Sequence, residues 1–288
     1  YNGLENTKEC LDSIKKLELA NHKLSIVLVD NASKDGSQEA FKKIKDVELV
    51  LNEKNLGYSG GNNSGIKKAL ENGAESVLIL NNDMLVEKDM LINLAQGQKE
   101  ADIVSPKIYF APGFEFHKKR YSKGDLGKVI WYAGAHIDWQ NVIGVHDGVD
   151  EVDIGQFNKR KTLDLTTGAA IMVKSEVFEK IGYFDEKYFL YLEDMDFCER
   201  AKNAGFKMLF VPEAIAWHKN AGSSGSGSKL QDYYFTRNRL LFAFKHCSLR
   251  TKLAVLKQIA SQAQSPIKRK ALLDFLMIKF GKANVNFE

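Results

Sequence analysis

The strongest constraint on the fold is a repeated pattern early in the chain. Three β-rich apolar runs, Leu24–Val29, Val47–Leu51 and Val77–Leu80, alternate with stretches of helical periodicity. Strands alternating with helices predict a parallel sheet with helices on both faces, an α/β fold. The helices are expected over residues 7–17, with Thr7 as cap and Cys10, Leu11, Ile14 and Leu17 at helical spacing. Others are expected from Ser37 to Ile44 and from Gly61 to about Asn72. In such sheets ligands bind beyond the carboxyl ends of the strands. Asp30, the Asn55–Gly61 segment and Asn81-Asn82-Asp83 all follow strands, so the pattern converges them on one crevice.

From about Ile103 the rhythm changes. Residues 105–165 mix short strands with Gly, Pro and aromatic punctuation, and helices are expected at 174–181 and 193–204. Residues 221–228 are almost entirely Gly and Ser, a flexible loop by composition. After it, Leu230, Tyr233, Tyr234, Arg237, Leu241 and Phe244 lie along one helical face. The length of 288 residues suits one large α/β domain with an appendage. The opening Tyr1-Asn2-Gly3 reads as a loop entered from a strand, so a first strand is expected to be missing.

Charge is unevenly spread. Residues 229–288 hold 12 Lys and Arg against 3 Asp and Glu, a net of +9, which leaves −5 for residues 1–228. A mildly acidic body argues against nucleic acid as a partner, whereas the basic tail suits either an anionic membrane surface or a solvated helix face. The cysteines, Cys10, Cys198 and Cys247, are odd in number and far apart. That excludes a disulfide framework or a paired-cysteine zinc site and points to a reducing, cytoplasmic setting, at the membrane's inner face if the tail binds lipid. No apolar run reaches the roughly 18 residues of a spanning helix.

Several clusters could carry chemistry. Asp30, in Val29-Asp30-Asn31-Ala32-Ser33-Lys34-Asp35-Gly36-Ser37, is either a strand-end turn residue or an acceptor for a base N–H or a ribose hydroxyl. Asn55-Leu56-Gly57-Tyr58-Ser59-Gly60-Gly61 opens a helix, where glycines allow either close ligand approach or a tight connection. It matches neither the G-x-G-x-x-G fingerprint nor a P-loop. Asp83 could hold a divalent cation against a diphosphate. Glu193-Asp194-Met195-Asp196 places three acids at a helix start, which suits the helix dipole; in aromatic surroundings one of them could instead have a raised pKa and act as a general base. His218 is a candidate metal ligand.

Taken in order, these segments resemble the family 2 glycosyltransferases of GT-A fold, particularly bacterial rhamnosyltransferase-like members. The resemblance runs from Tyr1 to about His246. It also covers Thr167-Gly168-Ala169-Ala170, Gly182-Tyr183-Phe184-Asp185-Glu186, Trp217-His218 and Thr236-Arg237-Asn238-Arg239. It implies a nucleotide-sugar-binding half at 1–102, an acceptor-binding and catalytic half of the same domain at 103–228, and basic C-terminal helices at 229–288. It implies that Asp30 and the segment containing Asn55, Gly57, Gly60 and Gly61 line the nucleotide pocket, with Asn81 and Asn82. Asp83 and His218 would hold Mn²⁺ or Mg²⁺, Asp194 would be the base, and Thr167, Gly168 and Glu193 would border the sugar or acceptor. The loop 221–228 would close over the donor.

The implied reaction is inverting transfer from a nucleotide-sugar donor to a saccharide or lipid-linked acceptor in surface polysaccharide synthesis. The subgroup favours dTDP-rhamnose as donor. UDP-hexoses or UDP-galactofuranose, a sugar nucleotidyltransferase, and a non-catalytic nucleotide-sugar-binding domain are the alternatives.

Overall fold

A computed structural model describes residues 1–117, 119–219 and 228–285. The elements run α1 (Leu4–Ile14), β1 (Val27–Asp30), α2 (Ser37–Phe41), β2 (Glu48–Leu51), α3 (Gly57–Glu71), β3 (Ser76–Leu80), β4 (Met84–Val86), α4 (Met90–Gly97) and β5 (Ile103–Phe110). There follow β6 (Ile130–Tyr132), β7 (Ala135–Asp138), β8 (Ile143–His146), β9 (Lys161–Thr162), β10 (Ala170–Lys174), α5 (Ser175–Ile181), α6 (Glu193–Asn203) and β11 (Met208–His218). The chain ends in α7 (Lys229–His246), α8 (Leu249–Ser261) and α9 (Pro266–Leu276).

The α/β alternation expected from the sequence is present. β1 and β2 are parallel. In the larger sheet, ordered β3-β10-β5-β11-β4, the principal strands β3, β5 and β11 share one direction. The opposite direction enters where β10 inserts between β3 and β5 and where the Asn81–Asp83 turn sends β4 back along β11. Among the described residues β1 pairs only with β2, and β3 only with β10 along its length. The two sheets meet through α3, which packs on both β1 and β3.

Burial separates the two sheets. In β5 every residue but Tyr109 is buried, and in β10 all but Lys174, so both are covered on both faces; β10 is an apolar run up to Lys174, whereas β5 carries Ser105 and Lys107, bonded to Tyr132 and Asp153. Val27, Leu28 and Val29 of β1 are only half-buried.

Some local expectations shift. Helix α1 starts at Leu4, and Thr7 lies inside it, where its hydroxyl donates to the Gly3 carbonyl at 2.8 Å instead of capping. α3 begins at Gly57, so most of the expected Gly-rich loop is helical. On α7, Tyr233, Tyr234, Arg237 and Leu241 are buried as the periodicity implied, but Phe244 is exposed. The Ser228 side chain caps α7 by accepting from the Gln231 amide. The other residues of the Gly/Ser loop lie outside the described residues.

Candidate active site

The first wall of the crevice is the turn after β1. Asp30 is 2% exposed, and its Oδ1 accepts from the Ser33 amide at 2.9 Å and Gln38 Nε2 at 2.8 Å. Its neighbour Asn31 joins the turn to the next strand-to-helix connection. Asn31 Nδ2 donates to the Gly57 carbonyl and to Asn55 Oδ1, while its Oδ1 accepts from the Leu56 amide and Asn52 Nδ2. A short side chain with both donors and acceptors is needed there, because two buried connections must be satisfied at once. The same turn anchors the chain's start: the Asn2 amide donates to Ser33 Oγ, and the Leu4 amide to Asp35.

The glycines of this wall serve packing. Gly57 has φ +75°, and a Cβ there would overlap the Phe189 carbonyl. A Cβ on Gly60 would strike Leu56, and one on Gly61 would press on Asn31. Of the two roles open to this segment, the tight connection is the one that these contacts display. Asn82 also makes a packing contact: its Nδ2 donates to Thr7 Oγ1 at 2.9 Å and lies 3.4 Å from the Gly3 carbonyl. The Asn82 side chain therefore fastens α1 to the β3–β4 turn.

The second wall is the adjacent ends of β3 and β10. Leu80 pairs with Ala170, and the Asn81 amide donates to the Ala169 carbonyl at 2.9 Å. This sets Thr167 and Gly168, just ahead of β10, beside the Asn81–Asp83 turn. The Gly168 amide donates to Asp194 Oδ2 at 3.1 Å, and its carbonyl accepts from the Tyr58 hydroxyl. Thr167 is buried, with Oγ1 accepting from the Ala169 amide.

Asp83 and His218 meet across β4 and β11, whose register pairs His218 with Met84. His218 Nε2 lies 3.1 Å from Asp83 Oδ1, and Nδ1 is buried without a hydrogen-bond partner among the described residues. The imidazole packs edge-on against Trp131, centroids 4.5 Å apart. A carboxylate oxygen suits either Mn²⁺ or Mg²⁺, and the imidazole nitrogen beside it favours Mn²⁺ of the two. Two ligands at about 2.1 Å and right angles would sit about 3 Å apart, close to the separation observed. The residues thus fit a divalent ion. Among the described residues no group of three or more His, Cys, Asp or Glu gathers as a metal site, so further ligands would come from substrate.

Helix α6 supplies the acids. The two residues before it, Tyr191 and Leu192, have φ +70° and +66°, a left-handed pair that non-glycine residues rarely adopt. Asn238 on α7 holds this turn, its Nδ2 donating to the Leu190 carbonyl at 2.8 Å and the Tyr191 carbonyl at 2.9 Å. Fully buried Arg237 donates to the Gly281 and Lys187 carbonyls. The Arg237-Asn238 pair is thus a clamp on the segment that aims the acids.

Asp194 is partly exposed and accepts the Gly168 and Met195 amides. Desolvation raises its pKa in spite of those bonds. Glu193 is buried, with Oε2 unpartnered, and burial followed by the Asp194 charge pushes its pKa well above the ordinary carboxylate range. Tyr58 is shifted up by burial and by both acids. Asp83, His218, Asn81, Thr167, Gly168, Glu193 and Asp194 therefore occupy one end of the sheet, with Asp30 and Asn55 on the neighbouring wall. Asn31, Tyr58, Trp131 and the α7 clamp escaped sequence reasoning as site residues. Asn31 and Tyr58 lay within recognised segments, but nothing local distinguished them.

This architecture defines a class: α/β proteins of GT-A fold, with acids and a histidine gathered at the strand ends. The family model for glycosyl transferase family 2 matches residues 1–182, and the chain belongs to that family. A low-salt glycan biosynthesis hexosyltransferase, Agl10 of Haloferax volcanii, is 30% identical over 220 residues, covering 75% of this chain and 66% of that protein. An N-acetylglucosaminyl-diphospho-decaprenol L-rhamnosyltransferase of Mycobacterium tuberculosis is 25% identical, covering 74% of this chain and 72% of its own length. Among solved structures, the mannosyltransferase of Pyrobaculum calidifontis in complex with GDP-Man and Mn²⁺ superimposes with TM-score 0.54 at 17% identity, covering 97% of this chain and 80% of that one. At that identity the likeness concerns the fold alone.

Proposed function

We propose that the protein is an inverting glycosyltransferase that moves a sugar from a nucleoside-diphosphate donor to a hydroxyl of a saccharide or lipid-linked saccharide. The observation that carries this reading is the contrast around Asp194. It is an acid with a raised pKa, aimed by the Gly168 amide and set one strand end away from the Asp83–His218 pair.

Asp194 accepts the proton of the acceptor hydroxyl as the oxygen attacks the anomeric carbon. Attack comes from the face opposite the nucleoside diphosphate. The anomeric carbon–oxygen bond breaks, and its electron pair leaves with the diphosphate. Asp83 and His218 would hold a Mn²⁺ or Mg²⁺ ion, which when bound would supply positive charge against the departing diphosphate. Glu193, with a buried oxygen lacking a protein partner, offers an acceptor to a sugar hydroxyl. Thr167 and Gly168 border the same space, and Asp30 and Asn55 lie on the nucleotide side.

Rhamnose from dTDP-rhamnose is the first donor to test, supported by the rhamnosyltransferase names among the relatives. The experiment is a transfer assay with Mn²⁺ and dTDP-rhamnose, UDP-hexoses or UDP-galactofuranose, with a lipid-diphosphate-linked saccharide as acceptor and products read by mass. A thermal-shift panel of UDP, dTDP, GDP, ADP and NAD runs alongside, each with and without chelator. A metal-dependent shift with dTDP and a product one deoxyhexose heavier are expected. Neither product nor nucleotide-dependent shift with any donor would overturn the reading.

A further inference from the structure

The basic tail, with its aromatics and leucines, suits either a helix lying on lipid or a helix packed on the core with a solvated basic face. In the structure the aromatics at the start of α7 are buried, and Tyr233 and Tyr234 are fully enclosed. The apolar side chains that face solvent lie further on. Leu249 is 71% exposed and Leu253 57%, four residues apart on one face of α8. On α9 and just past it, Leu273, Leu276, Met277 and Ile278 are exposed, Ile278 at 78%.

These two groups flank one feature. Exposed Phe244, at the end of α7, stacks edge-on with Phe275 of α9 at 5.0 Å, and Lys252 of α8 lies over its ring at 6.0 Å. The outer turns of α8 and α9 therefore lie either side of Phe244. Internal packing does not call for so many large apolar groups in water, since Val255, Ile259 and Ala271 already fill the inner faces.

Charge complements this surface. Residues 247–285 hold 8 Lys and Arg and a single acid, Asp274. Asp274 is buried, accepting the Tyr233 hydroxyl and pairing with Lys270. Arg250 and Lys257 lie beside Leu249 and Leu253, and Arg269 precedes Leu273 by one helical turn, all exposed. An apolar stripe rimmed by cations, with no exposed acid in residues 247–285, matches an anionic lipid surface. No helix among the described residues is long and apolar enough to cross a membrane, so the contact would be peripheral. The surface is also fixed to the catalytic half: Arg237 bonds the Gly281 and Lys187 carbonyls, and the Gly281 amide donates to the Lys187 carbonyl at 3.0 Å.

We infer that the α8–α9 face, built on Leu249, Leu253, Leu273, Leu276, Met277 and Ile278 with Arg250, Lys257 and Arg269 at its rim, docks the protein on an anionic bilayer. Its use in catalysis rests on the proposed transfer to a lipid-linked acceptor; the docking itself does not.

The test is flotation with vesicles of phosphatidylglycerol and phosphatidylcholine against phosphatidylcholine alone, at low and high salt. Binding to the anionic vesicles, at least about tenfold weaker on neutral ones and weakened by salt, is expected. Leu253→Glu with Leu276→Glu should lower partition by at least about tenfold. Both sites are exposed, so the melting temperature should hold. Arg250→Glu with Lys257→Glu gives a second, charge-only arm with the same expected direction. No flotation at low salt, or flotation that both pairs leave unchanged, overturns the inference. A concentration-dependent dimer in light scattering that the leucine pair abolishes, without vesicle binding, would assign the face to a second copy instead. Flotation needs no turnover, so its failure is distinguishable from failure of the transfer assay.

Discussion

Asp194 and Asp196 stand in the first turn of the same helix and meet opposite surroundings. Asp194 faces the crevice, and its partners are backbone amides. Asp196 faces the seam between α6 and α7 and is fully buried against Arg200 at 2.8 Å, His246 Nε2 at 2.8 Å and Lys245. Burial disfavours both anions, but only Asp196 has cations to outweigh it. Its pKa falls well below the ordinary range, through the His246 bond and then the Arg200 charge, while that of Asp194 rises. One helix terminus thus carries a structural anion and, two residues earlier, an acid left able to take a proton. An acidic run does not reveal which member is which; the neighbours decide.

The sharpest way to break the contrast is Asp194→Asn. Transfer should fall about 10³-fold, in the range for loss of a general base, while dTDP affinity in calorimetry stays within a factor of two or so. Full activity would remove Asp194 from the role. Asp196→Asn should do the opposite. It leaves Arg200, Lys245 and His246 without their anion and should cost about 3 kcal/mol in denaturant unfolding, with activity per folded molecule retained. Loss of turnover at unchanged stability would merge the two acids into one function.

His218→Ala tests the other pole. Metal-dependent nucleotide affinity should drop at least about tenfold, with affinity in chelator unchanged. Asn238→Ala acts on the aiming of the acids. Freeing the Leu190 and Tyr191 carbonyls should cost about 1–2 kcal/mol and lower kcat more than KM. A change confined to stability would make the clamp purely structural.

The smallest effects are in pH dependence, and their signs differ. The Asp196 pKa is depressed by folding, so its contribution is present above about pH 4 and lost as pH falls through the folded value. The stability gap between wild type and Asp196→Asn should therefore close in acid. The Asp194 and Glu193 pKa values are raised, so their ionisation opposes folding at neutral pH, and that penalty is relieved as pH falls through their folded values. Asp194→Asn should accordingly be no less stable than wild type at pH 7, with any advantage shrinking on acidification.

Much of the fold was legible from short-range pattern. β1, β2 and β3 lie within a few residues of the short β-rich apolar runs, and α5 and α6 of the helical patterns, that the sequence shows. β4, α4 and the long β11 were not read. β11 is apolar nearly throughout its 11 residues, a length at which an apolar run does not separate strand from helix. At the site, Asp83 stood out after a strand, Asp194 at a helix start and His218 as a candidate ligand, whereas Gly168 came only through the family resemblance. The bond from Asn82 to Thr7 was not legible, because its partners lie 75 positions apart.

What local sequence decides here is the set of elements, the carboxylates at strand ends and the acids at the start of α6, since these follow from a residue's immediate neighbours. Tertiary structure alone gave Asp194 and Asp196 their opposite surroundings and turned the glycines of α3 into packing contacts. It also made Arg237 and Asn238 a clamp and left the tail's exposed leucines on α8 and α9. Each of these depends on desolvation and on partners from distant parts of the chain: Gly168 for Asp194, His246 for Asp196, Phe189 for Gly57. A pKa or a steric limit is set by what surrounds a group in space, and for these residues that is fixed only when the chain has closed on itself.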